Sequence, residues 1–320
     1  MVSKYCSILL CTLIFISGCT VGRMVKGDYY LSGTDHKQGI ESFKKDLEKN
    51  PDSPDARYYL GRLYLADNQV KNALTHLEKA SAISPGNPEY RFWLGLAYAA
   101  NKMKKQEWES YESALKLDPD HLKSRIYLAH TQLERNLYED ALKNYSQVLD
   151  RTPDEPSSLY NRALALKELK RPKEEKFAWK EYLNYYPSGP MSANAVHHLN
   201  LLGDFSFRNY LIGVRTLPLR QIQFKAFSTD LTPESMGSLD DLGDVLSKKK
   251  DLSIHIIAYQ DNNKQLAEQK AKQIKKYLVE KFPEIPAANL KVSWFGTPEK
   301  IKIENSLFSE DESINFITAL

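Results

Sequence analysis

Residues 54–66 read PDARYYLGRLYLA, and residues 88–100 read PEYRFWLGLAYAA. The two stretches stand 34 residues apart, and the same spacing continues through blocks opening at Leu122 and Pro156. The eighth position of the four blocks is Gly61, Gly95, Ala129 and Ala163, and the thirty-second is Pro85, Pro119, Pro153 and Pro187. A fixed 34-residue period, with a small residue in one helix and a proline at its close, marks stacked helix–turn–helix units. Such units bury their apolar faces on each other and leave a long concave surface. A surface of that kind binds proteins more often than it catalyses.

Within the block from Pro54, Leu60, Gly61 and Tyr64 share one stripe of a first helix. Glycine there lowers helix propensity by about 1 kcal/mol, so close approach of a neighbouring helix is expected in compensation. Asp67-Asn68 reads as the turn. Ala73, Leu77 and Ala80 mark one face of a second helix, which Ser84-Pro85-Gly86-Asn87 stops. The next block repeats this with Leu94, Gly95, Tyr98, Tyr111, Ala114 and Pro119. The block from Leu122 is looser. In the block from Pro156, Arg162 and Glu175 stand where leucine and alanine are expected.

These residues resemble the tetratricopeptide repeat (TPR) family. A partial unit with Tyr30, Phe43 and Pro51 in phase precedes them, and a helix from Ser192 to Leu202 is expected to cap the array with a wetter outer face. In that family the first helix of each repeat lines the concave groove at offsets 2, 5, 9 and 12. Offset 5 here gives Tyr58, Phe92, Ile126 and Tyr160; offset 9 gives Arg62, Leu96, His130 and Leu164. The two rows lie one helical turn apart. The resemblance implies an apolar and aromatic strip suited to an extended or helical peptide, with Tyr58, Phe92 and Tyr160 pointing away from the repeat core.

At the N-terminus, Lys4 is the one charge among the first 18 residues, and an apolar run follows from Ile8 to Ile16. The run is shorter than the about 20 residues a bilayer span needs, so it reads as a secretory signal peptide. It ends in Ile16-Ser17-Gly18-Cys19, which resembles the bacterial lipobox. That resemblance implies that Cys19 is lipidated and begins the mature chain; an ordinary cleaved signal with a chance cysteine is the alternative. Cys6 and Cys11 leave with the signal, so no disulfide forms in the mature chain. Two or more acyl chains make a stable anchor. Thr20 stands where aspartate would indicate inner-membrane retention, which implies the periplasmic face of the outer membrane of a Gram-negative bacterium.

A length of 320 residues suggests two domains. Lys+Arg 44 against Asp+Glu 41, a formal charge of +3, gives no reason to expect nucleic acid. After about Leu202 the period stops and β-branched patterns begin. Asn209–Leu219 and Gln221–Phe227 read as strands. Thr232-Pro233-Glu234 opens a helix with Leu239, Leu242 and Leu246 on its apolar stripe. Leu252–Tyr259 is a strand, Asn263–Lys281 a helix, and Leu290–Phe295 and Ile314–Ala319 further strands. This order puts helices on one side of a mixed sheet. The expected organisation is a signal peptide at 1–18, a lipidated N-terminus and partial TPR at 19–53, an all-α TPR superhelix at 54–203, and an α+β (βαβαβ) domain at 204–320.

That last segment resembles the OmpA-like domain, whose members usually hold peptidoglycan. The resemblance rests on Ile222-Gln223-Phe224, Leu231-Thr232-Pro233-Glu234-Ser235, Tyr259-Gln260-Asp261 and Leu266-Ala267-Glu268-Gln269-Lys270-Ala271, in that order. In the family an aspartate after the second core strand and an arginine on the next helix grip the diaminopimelate of the peptide stem. The resemblance implies those roles for Asp261 and Lys270, with lysine lacking arginine's forked geometry. The chain departs from the family in two further ways. The loop after Asp261 is short, and Glu312-Ser313-Ile314-Asn315 stands near where Asn-Arg-Arg begins the last strand. A domain that keeps the fold without the ligand is the alternative.

No HExxH, GxSxG, P-loop or GxGxxG motif occurs, and none of the seven histidines has metal-ligand spacing that stands out. No catalytic residue, cofactor or metal is expected. The combined expectation is a non-enzymatic, lipid-anchored adaptor at the periplasmic face, with a protein or peptide partner in the groove and contact with peptidoglycan. Two alternatives are a structural tether between outer membrane and peptidoglycan, and a pilotin-like assembly factor of a secretion or pilus machine with a vestigial wall domain.

Overall fold

A computed structural model of the chain describes residues 22–226, 228–249 and 251–319. The signal peptide and the lipidation site Cys19 lie outside the described residues. The chain divides into two compact units at Asp150 and Arg151.

Among the described residues, the first unit holds four helix pairs. They are α1 (residues 22–32) with α2 (His36–Lys49), α3 (Pro54–Ala66) with α4 (Val70–Ile83), α5 (Pro88–Ala100) with α6 (Lys104–Leu117), and α7 (Leu122–Glu134) with α8 (Tyr138–Leu149). The second unit opens with α9 (Pro156–Glu168), α10 (Pro172–Tyr185) and α11 (Ser192–Leu201). First helices begin on a side-chain cap: Ser53, Asn87, His121 and Glu155 each accept a backbone N–H of the first turn. They end in a left-handed residue at the same block position, Asn68, Lys102, Asn136 and Lys170, with φ of 58, 61, 61 and 56°. The next N–H then closes back on the helix: Gln69 donates to the Tyr64 carbonyl at 2.7 Å and Met103 to Tyr98 at 2.9 Å. Leu137 and Arg171 repeat this on Gln132 and Leu166. This is a Schellman stop, renewed every period without glycine.

Close approach at the eighth position is real. A Cβ on Gly61 would lie 2.5 Å from Leu77 Cγ, and one on Gly95 would collide with the Tyr111 ring. The partial unit ahead of Pro54 is a full helix pair. Gly27 of α1 faces the Tyr59 ring, and Lys26 donates to Asp46 of α2 at 2.7 Å.

In the second unit, Glu175 breaks the repeat pattern for a local reason. Trp179 is wholly buried and donates its indole N–H to Glu175 at 3.1 Å, and burial pushes that carboxyl above its usual range. α11 leaves Asn194 and His197 exposed, and the strand that follows bonds to other parts of it. Asn200 donates to the Phe207 carbonyl at 2.8 Å, and Asn209 donates to the Ala193 carbonyl at 2.7 Å.

The expected strand Asn209–Leu219 is a hairpin of β1 (Phe207–Ile212) and β2 (Arg215–Arg220), turned at Gly213 with φ of 64°. The run from Gln221 is not a strand. Its pairing is one bridge, Phe224 to Leu231, because the Ser235 hydroxyl binds the N–H and C=O of Gln223 at 2.7 and 2.9 Å. Ser235 lies in α12 (Pro233–Ser247), capped by Thr232. Then come β3 (Ser253–Gln260), α13 (Lys264–Lys281), β4 (Leu290–Phe295), β5 (Glu299–Ile303), β6 (Ser306–Glu310) and β7 (Glu312–Ala319). The sheet runs β4-β3-β7, parallel on one side of β3 and antiparallel on the other. Ile254, Ile256 and Ala258 bury one face of β3 in a core with Leu239 and Leu242 of α12 and Ala271, Ile274 and Leu278 of α13. The β5–β6 hairpin was not expected. Its buried Glu299 takes hydrogen bonds from Arg208, Ser313 and Asn315, each at 2.6 Å.

Candidate functional site

In the first unit the first-helix rows of the repeats carry a candidate surface; Tyr160 and Leu164 hold the same block positions in the second unit. Tyr58, Phe92 and Tyr160 are 5%, 2% and 6% exposed. This corrects the outward orientation expected of them. Rings this long reach their neighbours: Tyr58 stacks on Tyr90 at 4.9 Å, Phe92 meets Tyr127 edge-on at 5.3 Å, and Tyr160 meets Trp179 edge-on at 5.1 Å. Ile126 of the same row is half-buried. Arg62, Leu96, His130 and Leu164 of the offset-9 row are all half-buried, with part of each side chain open to solvent.

The offset-2 residue Glu89 organises the surface between successive repeats. It accepts from Trp93 Nε1 at 2.9 Å and Tyr58 at 3.3 Å, and His121 Nε2 lies 3.0 Å from its other oxygen. Lys123 stands at 3.4 Å. His121 Nδ1 accepts the Ser124 N–H, which leaves the proton on Nε2 for Glu89. The His121 hydrogen bond, with those of Trp93 and the Lys123 charge, holds the Glu89 carboxyl down at about 2. Arg62 donates to the Tyr58 hydroxyl at 3.0 Å and lies over the Trp93 ring at 4.3 Å. Sequence reasoning named offset 2 as a groove position yet overlooked Glu89, since Tyr58 lies about one period behind it and His121 and Lys123 about one period ahead.

The second candidate lies at the end of β3. Asp261 follows the strand, its carboxylate accepts from Asn262 at 2.8 Å, and its N–H donates to the Asp311 carbonyl at 2.7 Å. Lys270 comes from α13 to the same region and is 3% exposed. Its ammonium donates to Gln260 and pairs with Glu312, both at 2.7 Å, and sits 5.1 Å from the Phe224 ring centre. Lys270 thus reaches Gln260, the residue before Asp261. Lys270 is not an open cation, because a buried ammonium needs a counter-charge and Glu312 supplies it. A ligand carboxylate would have to take the place of Glu312. The Glu312–Asn315 stretch thus holds Lys270 from one residue and Glu299 from two others, where the family's basic motif is missing.

Family models match residues 223–312 as OmpA family and residues 30–91 and 128–179 as tetratricopeptide repeat. Residues 66–148 match a model described as anaphase-promoting complex, cyclosome, subunit 3. The chain is a tetratricopeptide-repeat protein with a C-terminal OmpA-family domain. Among curated proteins no sequence match is found. Among solved structures, pilF of Pseudomonas aeruginosa is similar with a TM-score of 0.52 at 17% identity, covering 58% of this chain and 84% of that one. YrrB, described as a TPR protein with an unusual peptide-binding site, gives 0.47 at 16% identity over 53% and 87%. MamA gives 0.46 at 19% identity over 52% and 91%. The likeness to pilF shows the repeat fold. The TPR array is a protein-interaction scaffold, and the OmpA-family domain associates the chain with the cell envelope and is compatible with peptidoglycan binding. Among the described residues, no helix is long and apolar enough to cross a membrane, and no three His, Cys, Asp or Glu side chains could hold a metal ion.

Proposed function

We propose that this chain is a non-catalytic adaptor, anchored by lipid at Cys19 on the periplasmic face of an outer membrane, that holds a polypeptide partner on the first-helix face of its repeats. The observation that carries this is the contrast between the two rows. In the first unit Tyr58 and Phe92 of offset 5 are packed away, Tyr58 bonded to Glu89, whereas Arg62, Leu96 and His130 of offset 9 keep part of their surface in solvent. A rigid floor with an amphipathic upper row binds a peptide with little ordering cost. A photo-crosslinking residue at Leu96 should trap one discrete partner in cells. The same residue at Leu117, exposed on the second helix α6, should not. Equal trapping at both positions would refute the groove. Anchoring is tested separately: Cys19→Ser should leave the chain unprocessed and without labelled palmitate, and equal labelling of the variant would refute lipidation.

A second reading adds peptidoglycan contact at Asp261 and Lys270, supported by their convergence at the end of β3. Because Glu312 already holds Lys270, sacculus binding should be weak and salt-sensitive. Asp261→Ala should remove it and Lys270→Arg strengthen it. Failure of the wild-type chain to sediment with sacculi even at low salt, with no rescue by Lys270→Arg, would leave the repeats as the sole binding part.

A further inference from the structure

A second polar feature lies in the same unit as the OmpA-family domain; Asp261 and Lys270 do not line it, and it shares Phe224 and Glu312 with the surroundings of Lys270. A cavity of about 490 Å³ is lined by Asp204, Gln221, Phe224, Glu310 and Glu312, among others, and no lysine or arginine lines it. Gln221 is 7% exposed, yet neither the oxygen nor the nitrogen of its side-chain amide has a hydrogen-bond partner among the described residues. A buried amide left unpaired on both sides is costly, and this one lines an open cavity.

The three carboxylates are not equivalent. Asp204 pairs with Lys180 at 3.4 Å and accepts from Ser206, and Glu312 pairs with Lys270. The Glu310 side chain makes no hydrogen bond or ion pair among the described residues, although the charge of Arg208, itself paired with Glu299, acts on it. It is half-buried, and burial pushes its carboxyl above the usual range. The cavity therefore offers one unpartnered amide, with a donor and an acceptor, and one unpartnered carboxylate. The group that complements a carboxamide on both counts is another amide, such as a peptide group. The group that complements a half-buried carboxylate is an ammonium or guanidinium.

We propose that this cavity binds a basic residue of a polypeptide, with its peptide group paired to the Gln221 amide and its side-chain cation at Glu310. The assignment goes beyond the groove reading and does not depend on it, since none of the repeat-groove residues lines the cavity.

The test is a titration of the full chain, followed by NMR, with three small probes. Nα-acetyl-lysine N-methylamide carries both features. Nα-acetyl-norleucine N-methylamide lacks the charge, and n-butylamine lacks the peptide group. The lysine probe should saturate in the millimolar range, and each of the other two should bind about tenfold more weakly. Gln221→Met should weaken the lysine probe about tenfold, and Glu310→Gln, at a partly solvated position, should abolish the preference for lysine over norleucine. Circular dichroism of both variants should match the wild type. Three results would overturn the proposal: no saturation by the lysine probe, equal binding of lysine and norleucine probes, or n-butylamine binding as tightly as the lysine probe. Unchanged affinity in both folded variants would overturn it as well.

Discussion

Side chains that bond to one another across the repeats stand about one period apart. Tyr90 reaches Asp55 over 35 residues, and His121 reaches Glu89 over 32. In the sheet-bearing domain they come from opposite ends: Arg208 reaches Glu299 over 91 residues, and Tyr210 donates to the Ile314 carbonyl over 104. The repeat blocks are therefore joined by nearest neighbours, so damage to one block should stay near it. The domain closes its ends on each other, so a single lost partner should be felt throughout. The largest effect is expected there. Arg208 and Glu299 each keep 8% of their side chains exposed, and Glu299→Ala would leave a buried guanidinium without its counter-charge. Urea unfolding should show a loss of about 3–5 kcal/mol. A loss under about 1 kcal/mol would mean that the domain does not depend on its end-to-end closure.

In the array, Phe92→Ala should lower stability by about 3 kcal/mol in the same measurement. That follows from burial of the ring among Tyr111, Tyr127 and His121. A ring that faced outward would cost a few tenths. Acid should act on the array in two stages. Burial holds His76 and His198 down to about 4, below their ordinary 6.5, so the unfolded chain binds protons first. Their contribution is complete above pH 6.5 and is lost as pH falls toward 4. Glu89 is depressed from 4.5 to about 2, so its contribution persists above pH 4.5 and is lost as pH falls toward 2. Unfolding curves against pH should show the first stage vanish in the His76→Phe, His198→Phe double variant. The smallest effect is a gain. Lys102 adopts the left-handed conformation at its turn, and Lys102→Gly should stabilise by up to about 1 kcal/mol, the relief of strain exceeding the added freedom of the unfolded chain.

The same contrast explains what could be read from the sequence. Leu60, Gly61, Ala73 and Leu77 announce their partners because those partners sit within one block, and the small eighth residue does meet the second helix. The offset-5 burial was missed because it depends on ring length: Tyr58 and Phe92 reach past their own repeat to Tyr90 and Tyr127. In the domain, β3, β4, α12 and α13 were legible from local periodicity. The β1–β2 turn was not, since a lone Gly213 between Ile212 and Val214 carries no second turn residue to mark it. The β5–β6 hairpin was hidden because its turn residue Glu304 takes a φ of 50° without glycine. At the wall-binding candidate, Asp261 and Lys270 were readable by position. Glu312 was not readable as the partner of Lys270, because only the pairing of β7 with β3 brings it there, opposite Gln260.

The most direct test of the account is the affinity of the partner trapped at Leu96, measured on the full chain as wild type, as Leu96→Asp and as Asp261→Ala. The account predicts at least about tenfold weaker binding for Leu96→Asp, because a charge replaces the apolar contact offered to the partner, with circular dichroism still that of the folded chain, and unchanged binding for Asp261→Ala. Full affinity in Leu96→Asp, or loss of the partner in Asp261→Ala, would contradict the claim that the repeats are the part of this chain that holds a protein.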